Sequence, residues 1–396
     1  MKIAITGIGI VSALGMNSAD TLATLTTECR WQTLLRPPRF VETRHKVPVG
    51  EVGCSSEDLA KKLNVNSCSR TALLGMLAVH EAMNDAQINS ILPNRIALVS
   101  ATTVGGMDLS EKFYVDFLQN PKRGRLRMVV GHDCYDSTQK IASYCSIKGF
   151  CTTLSTACSS SANAIILGAR LLENGIADAV VAGGCDSLCR FTLNGFDSLR
   201  ILDSQPCRPF DANRSGLNLG EGAGYVVLQR ADKIIPEKAY CYLTGYANRN
   251  DAFHQTASSA DAGGAYLAMS ESLEMAGLQP KDIDYINVHG TGTSNNDEVE
   301  GSAMIRLFGK EHIPTFSSTK PLTGHTLGAA GGIETVLSVL AICHRMLYPN
   351  LHFNTVDPDL GLIPNCELQK NVTIDHVLSN SFGFGGNDTS LVFSSQ

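Results

Sequence analysis

The strongest constraint on the fold is an alternation, repeated along the chain, of short β-branched apolar runs with longer segments of helical period. Ile3–Val11 reads as a buried strand, and Arg70–Ala86 as an amphipathic helix carrying Leu73, Leu74, Leu77 and Met83. Strands are expected at 95–101, 177–182, 222–228 and 240–246, then a helix at 266–276, a strand at 284–288 and a helix at 297–308. The segment 313–317 is strand-like and 327–344 helical, and strands at 372–379 and 389–393 close the chain. A run of period two does not settle as a helix, nor one of period 3.6 as a strand. The alternation therefore predicts an α/β protein whose sheets are covered by helices.

Two strand–turn–helix units look alike. Cys151–Thr156 (CTTLST) runs into a turn of small residues and then a helix over 159–173, with Cys158 at the turn. Thr315–Thr319 (TFSST) runs into another turn and a helix starting near Thr326, with His325 at the turn. The pairing suggests an internal duplication whose halves meet near 230–240, giving expected halves 1–235 and 236–396. No residue-level repeat accompanies it.

With 396 residues, 43% of them apolar, the chain can build its core without a disulfide or metal staple. Its 13 cysteines are an odd number and include no C-x-x-C, which points to a reducing compartment and thiols used as small hydrophobes. A net charge of −6 with no block of like charge argues against a nucleic-acid partner. The one basic cluster, Lys122, Arg123, Arg125 and Arg127, reads as a solvated loop or as a docking patch for an acidic partner. Lys2 precedes an uncharged stretch as in a signal peptide, but glycines at 7, 9 and 15 interrupt it. A strand followed by a loop is expected there, with a cytoplasmic location and no membrane partner. The uncharged stretch 151–169 is too rich in Ser and Thr to span a membrane.

Three constellations could carry chemistry. Cys158 opens a helix, where the dipole and unpaired backbone N–H groups stabilise a thiolate and can hold an oxyanion. A buried packing cysteine is the bland alternative. His289 follows a strand in His289-Gly290-Thr291-Gly292-Thr293, and His325 follows Lys320 by five residues in STKPLTGH. Either histidine could be structural, but imidazoles in Gly/Thr-rich turns can also exchange protons or steady a developing enolate. Asn380–Asp388 (NSFGFGGND) reads as a flexible glycine loop around Phe384, either a plain turn or a gate. Glycines at 290–292, 324–332 and 383–386 are expected where substrate touches backbone. Gly7-Ile8-Gly9 has Ser12 in place of the third glycine of a dinucleotide fingerprint. No Walker loop, Gly-x-Ser-x-Gly elbow or zinc-ligand spacing occurs, so no metal is expected.

Taken in order, TACSSS, HGTGT, STKPLTGH and NSFGFGGND resemble the motifs of the β-ketoacyl-acyl-carrier-protein synthases of the condensing-enzyme II type. ITGIGIVSALG, AGGCDSL and RPFDANRSGLNLGEGAGYVVL match as well, so the resemblance covers nearly the whole chain. It implies a thiolase-like fold, two related halves in a five-layered α-β-α-β-α arrangement, and a dimer. It further implies Cys158 as nucleophile, His289 and His325 as catalytic histidines and Lys320 as their lysine. Phe384 would be the gate, its backbone N–H completing an oxyanion hole with that of Cys158. Thr291 and Thr293 would line the phosphopantetheine tunnel, Phe382 would touch substrate, and Asp297, Glu300 and Glu334 would organise the site from behind.

The implied reaction is a decarboxylative condensation of malonyl-carrier with an acyl group on Cys158. It needs no cofactor of the chain's own, because the acyl carrier protein brings the phosphopantetheine. A homodimer is implied, or a heterodimer with a related subunit. Three departures suggest a specialised paralogue similar to the synthases of aryl-polyene or related polyketide-like pathways. Ser159-Ser160-Ser161 stands where Ala-Ser-Gly is usual, Asn387-Asp388 where Thr-Asn is usual, and Gly131–Gly149 departs from the usual text near the expected dimer interface and acyl pocket. The rivals are a biosynthetic thiolase, which pairs one histidine with a second cysteine, a cysteine hydrolase, and a non-catalytic chain-length-factor-like subunit lacking the nucleophile.

Overall fold

In the computed structural model, which describes residues 2–66 and 68–395, ten strands form one mixed sheet. They are β1 (Ile3–Val11), β2 (Ile96–Ala101), β3 (Cys151–Leu154), β4 (Ala179–Asp186), β5 (Gly222–Arg230), β6 (Cys241–Asn250), β7 (Tyr285–Asn287), β8 (Thr315–Ser317), β9 (His376–Gly383) and β10 (Asn387–Ser394). Their order across the sheet is β8-β7-β9-β10-β6-β1-β5-β4-β2-β3. From either edge inward the sequence is third, second, fourth, fifth and first strand of a five-strand set. The third, second and fourth run parallel, and the fifth is antiparallel to both its neighbours. The two sets are thus copies of one topology, joined by a short antiparallel pairing of Ile3–Ile5 with Cys241–Leu243.

Helices make the remaining layers. The central one contains α2 (Ser160–Glu173) and α5 (Ala330–His344), whose Ile165, Ala169, Val336 and Leu340 share one buried core with Val226 and Leu391 of the two strand sets. Outside the first set lies α1 (Arg70–Ala86), packing Leu74 and Val79 with Val181 and Val227. Outside the second lie α3 (Gly263–Ala276) and α4 (Ser294–Phe308), packing Met269 and Met304 with Ile286 and Val392. The stacking is the five-layered α-β-α-β-α arrangement. Among the described residues, the one helical stretch long and apolar enough to cross a membrane, Leu327–His344, belongs to this central layer and is 89% buried.

β1 and α1 have the limits expected from their patterns, and the other expected elements occur with shifted ends. Among the described residues, five α-helices of eight residues or more escape the pattern, Ser18–Leu25, Ser56–Leu63, Met107–Gln119, Cys134–Tyr144 and Arg190–Ser198, as do the single turns Arg127–Val130 and Lys320–Thr323. The first begins inside the uncharged stretch expected to be a loop, because Asn17 caps it by accepting from the Asp20 N–H. The glycine loop at 380–388 is mostly strand. β9 starts at His376 and runs through Gly383, with Asn380 opposite Ser390, so only Phe384, Gly385 and Gly386 form the turn.

The glycines of 324–332 are largely packing devices. A Cβ on Gly332 would lie 2.3 Å from the Gly224 carbonyl, and one on Gly331 would meet Ala162 of α2. All 13 cysteines are free, six of them buried, but Cys29, Cys343 and Cys366 are exposed and so are not packing groups.

Candidate active site

Both similar strand–turn–helix units lead into the central layer, β3 into α2 and β8 into α5, and their turns meet there. At the first turn Ala157 has φ +52, a left-handed conformation that non-glycine residues adopt at a cost. Two serines of the motif hold it. Ser160 Oγ accepts from the Thr156 N–H (2.8 Å) and donates to the Ala157 carbonyl (2.5 Å), and Ser159 Oγ donates to the Thr156 carbonyl (2.8 Å). Ser161 Oγ accepts from the Gly332 N–H (2.7 Å), tying α2 to α5. The turn leaves Cys158 buried, its thiol facing the second half.

His325 Nε2 lies 3.0 Å from Cys158 Sγ. Backbone bonds fix it on both sides, its N–H donating to Asn218 O (2.7 Å) and its carbonyl accepting from Gly220 N (2.8 Å). His289 stands edge-on to it, the ring centroids 5.3 Å apart. Lys320 Nζ reaches His289 Nδ1 (3.3 Å), the His289 carbonyl (2.5 Å) and Glu334 Oε1 (2.5 Å). An ammonium only donates, so Nδ1 accepts and the His289 proton is assigned to Nε2.

Glu300 accepts from the N–H groups of His289 and Gly290 (2.8 Å each) and from Asn380 Nδ2 (3.0 Å). Asp297 accepts from the N–H groups of Phe210 (2.8 Å) and Gly292 (3.2 Å). These carboxylates shape the 289–293 loop, and none of Asp297, Glu300 or Glu334 lines the cavity over Cys158.

Burial dominates the electrostatics. It pushes the Cys158 thiol up to about 11, against the opposing pull of the Lys320 charge and the Phe384 backbone N–H. The helix terminus therefore does not yield the resting thiolate expected from it. Burial, reinforced by Lys320, holds His289 and His325 well below the ordinary imidazole range, so both are neutral. The resting state is a neutral thiol bonded to a neutral base.

A cavity of about 290 Å³ opens onto this group. Cys158, His289 and His325 line it together with Thr291, Thr293, Phe382 and Phe384. Thr291 and Thr293 hydroxyls bond each other at 2.9 Å, and the Phe384 ring stacks on Phe196 with centroids 5.9 Å apart. Gly383, in the glycine cluster 383–386 expected where substrate touches backbone, lies against the Cys158 turn: a Cβ there would be 3.1 Å from Cys158 N.

The Cys158, His289 and His325 ligand atoms lie within 4.8 Å of one another, a proximity invisible in their spacing along the chain. Two ligands of one tetrahedral zinc are roughly 3.5 Å apart. The 3.0 Å Cys158–His325 contact is instead a hydrogen bond, and Lys320 sets a positive charge against His289. The group suits proton transfer better than cation binding.

Residues 1–233 match the β-ketoacyl synthase N-terminal domain family, and residues 240–354 its C-terminal domain. The chain is 31% identical to a 3-oxoacyl-[acyl-carrier-protein] synthase 2 of Staphylococcus aureus (strain MRSA252) over 99% of its own length and 98% of the relative's. A ketosynthase from Xenorhabdus doucetiae, solved in complex with its chain length factor, is 33% identical with a TM-score of 0.82, covering 99% of this chain and 98% of that one. The ishigamide ketosynthase/chain length factor superposes with a TM-score of 0.92 at 25% identity, covering 100% and 99%. The chain belongs to the β-ketoacyl synthase family, and its thiolase-like fold is that of the family's solved ketosynthases.

Proposed function

We propose that the chain is a condensing acyltransferase, a 3-oxoacyl-carrier-protein synthase with Cys158 as nucleophile. The observation that carries this is the 3.0 Å contact of His325 Nε2 with Cys158 Sγ at the end of a cavity lined by hydroxyls and a phenylalanine gate. Cys158 attacks the thioester carbonyl of an acyl-carrier while His325 takes its proton. The tetrahedral oxyanion sits between the N–H groups of Cys158 and Phe384, and the carrier thiol leaves with the proton. Malonyl-carrier then enters, and its thioester oxygen accepts from the Nε2–H of His289 and from that of His325, whose proton has moved from Nδ1 to Nε2 once the acylated sulfur no longer donates to it. Loss of CO₂ leaves an enolate, whose carbon attacks the acyl-Cys158 carbonyl and releases the thiolate. Neutral donors suit this role, because they stabilise the developing charge without giving up their protons early.

Lys320 orients His289, while Thr291, Thr293 and Phe382 take the phosphopantetheine arm that the acyl carrier protein supplies. The halves are taken as 1–235 and 236–396, one bearing the nucleophile and the other the histidines. The free thiols suit a cytoplasmic setting.

Intact-mass spectrometry after incubation with acyl-carrier should show the acyl group on the wild type and none on Cys158→Ala. Label on the alanine variant would overturn the assignment. Among the described residues Cys158 is the only cysteine lining the cavity, which disfavours a thiolase with its second cysteine. The presence of the nucleophile disfavours a bare partner subunit.

We further infer a specialised pathway and a dimer with a related subunit. Support comes from the serine and aspartate departures and from two similar ketosynthases described with chain length factors. Full-rate elongation of ordinary saturated acyl-carriers by the chain alone, with refusal of aryl or polyenoyl primers, would overturn that narrower reading.

A further inference from the structure

The carboxyl of Asp388 takes no part in the condensation, yet it is buried beside the gate. Asp388 is 2% exposed, and its Oδ1 has no hydrogen-bond partner among the described residues. It stands on β10 opposite Phe382, two residues after Gly386 of the gate turn. Asp388 Oδ2 and Asp251 Cβ crowd one point, 2.3 and 3.1 Å from where a Gly264 Cβ would sit, so the two acids are neighbours at the start of α3.

Asp251 organises the wall of the cavity. Its carboxylate accepts from the N–H groups of Phe253 (3.0 Å) and Ser259 (2.9 Å), folding the loop whose Thr256, Ala257 and Ser258 line the cavity. Its own N–H donates to Gly386 O (3.1 Å). Gly385 N donates to Gln255 O (2.9 Å) and Asn250 Nδ2 to Gly385 O (2.7 Å), so the loop and the gate turn are strapped together.

We propose that Asp388 is a positioning residue that keeps the 251–262 loop clasped to the Phe384–Gly386 turn while it carries a proton, and loosens the clasp when ionised. A negative charge there would sit next to the Asp251 carboxylate with its Oδ1 unpartnered among the described residues and with Arg249, opposite on β6, already bonded to Glu271, whereas a neutral acid can lie against that carboxylate. The ionisable groups on the surrounding elements are Asp251, His254 and Asp261 on the loop, Arg249 and Glu271 bonded to each other (2.9 Å), and Asp297 and Glu300 on α4. Burial pushes Asp388 up to about 8, and Asp251 and Glu300 add to the shift through like charge. The inference depends on the proposed function only in taking the cavity as the substrate channel.

The closed loop binds the proton more tightly than the open one, so its opening constant rises with pH from the ordinary carboxyl range to about 8 and levels off above. The test is hydrogen–deuterium exchange of peptides spanning 251–262 and 383–388 between pH 6 and 9, corrected for intrinsic rates, on the full chain carrying Cys158→Ala. Nucleophile chemistry is then absent, so a failed catalytic assignment leaves this result unaffected.

Wild-type-like protection should fall by up to tenfold per pH unit as far as about pH 8 and then flatten. Asp388→Asn should be flat throughout, and Asp251→Asn should move the break to lower pH. A flat profile with Asp388 present, an unchanged slope in Asp388→Asn, or a slope abolished only by Glu300→Gln would each overturn the proposal.

Discussion

His325 Nε2 and Cys158 Sγ are hydrogen-bonded at 3.0 Å across 167 residues of chain, each delivered by the turn after the third strand of its own half. A neutral base and a neutral thiol face each other in a buried site, and their proton exchange is the first step of the proposed reaction.

Removing the base tests that step. His325→Ala should slow acylation of Cys158 by about 10²–10⁴-fold while leaving the fold intact. Single-turnover acylation followed by mass spectrometry, with circular dichroism as the control, measures it. A loss below tenfold would mean that His325 is not the proton acceptor.

The thiol is neutral at pH 7, since burial raises it to about 11. Alkylation of Cys158 by iodoacetamide should therefore quicken by about tenfold per pH unit from 7 to 10, without an early plateau. Lys320 lowers the thiol's pKa, so Lys320→Met should slow the reaction at each pH. A plateau below pH 8 would reveal a preformed thiolate–imidazolium pair instead.

Lys320 and Glu334 form a buried ion pair at 2.5 Å. Lys320→Met alone leaves a buried carboxylate unpaired and should cost about 3–5 kcal/mol of stability, which Lys320→Met/Glu334→Leu should largely restore. Chemical denaturation reads both. The double variant should stay inactive, because His289 loses the donor that fixes its tautomer.

Gly383→Ala should reduce kcat by about 10²-fold or more, because its methyl would crowd the Cys158 N–H where the oxyanion forms. Comparing kcat with KM for the acyl-carrier separates this from a weakened tunnel. Raised KM with unchanged kcat would refute it.

Burial pushes Glu300 up to about 7, so the folded state holds its proton more tightly than the unfolded chain. Stability associated with that proton is fully present below the ordinary carboxyl pKa and is lost as pH rises to about 7. Unfolding free energy should therefore decline between pH 5 and 7, and Glu300→Gln should flatten that decline. An equal slope in the variant would show that another group carries it.

Much of the site was legible along the chain because its parts are local. A reactive residue in a turn of small residues, a histidine before Gly-Thr-Gly-Thr and a lysine five residues before His325 are each visible in a few neighbouring letters. The helix Cys134–Tyr144 was not legible, since only Ser137, Thr138, Ile141 and Ala142 are buried and its period is faint. The Asn380–Gly383 stretch looked like a loop because its strand character comes from pairing with Asn387–Ser390, not from its own composition. Ser159 and Ser161 depart from the usual residues, yet each satisfies a backbone group that only the folded site presents.

The sequence by itself determined the α/β class, the family and which side chains are chemically able to act, because periodicity and short motifs are properties of adjacent residues. Only the tertiary structure decided that the two halves repeat one strand order, that Cys158, His289 and His325 share one pocket, and that the cysteine rests as a neutral thiol. It also placed the Asp388 carboxyl next to that of Asp251. Those outcomes depend on distances across the fold and on water excluded by burial, neither of which a local stretch of chain contains.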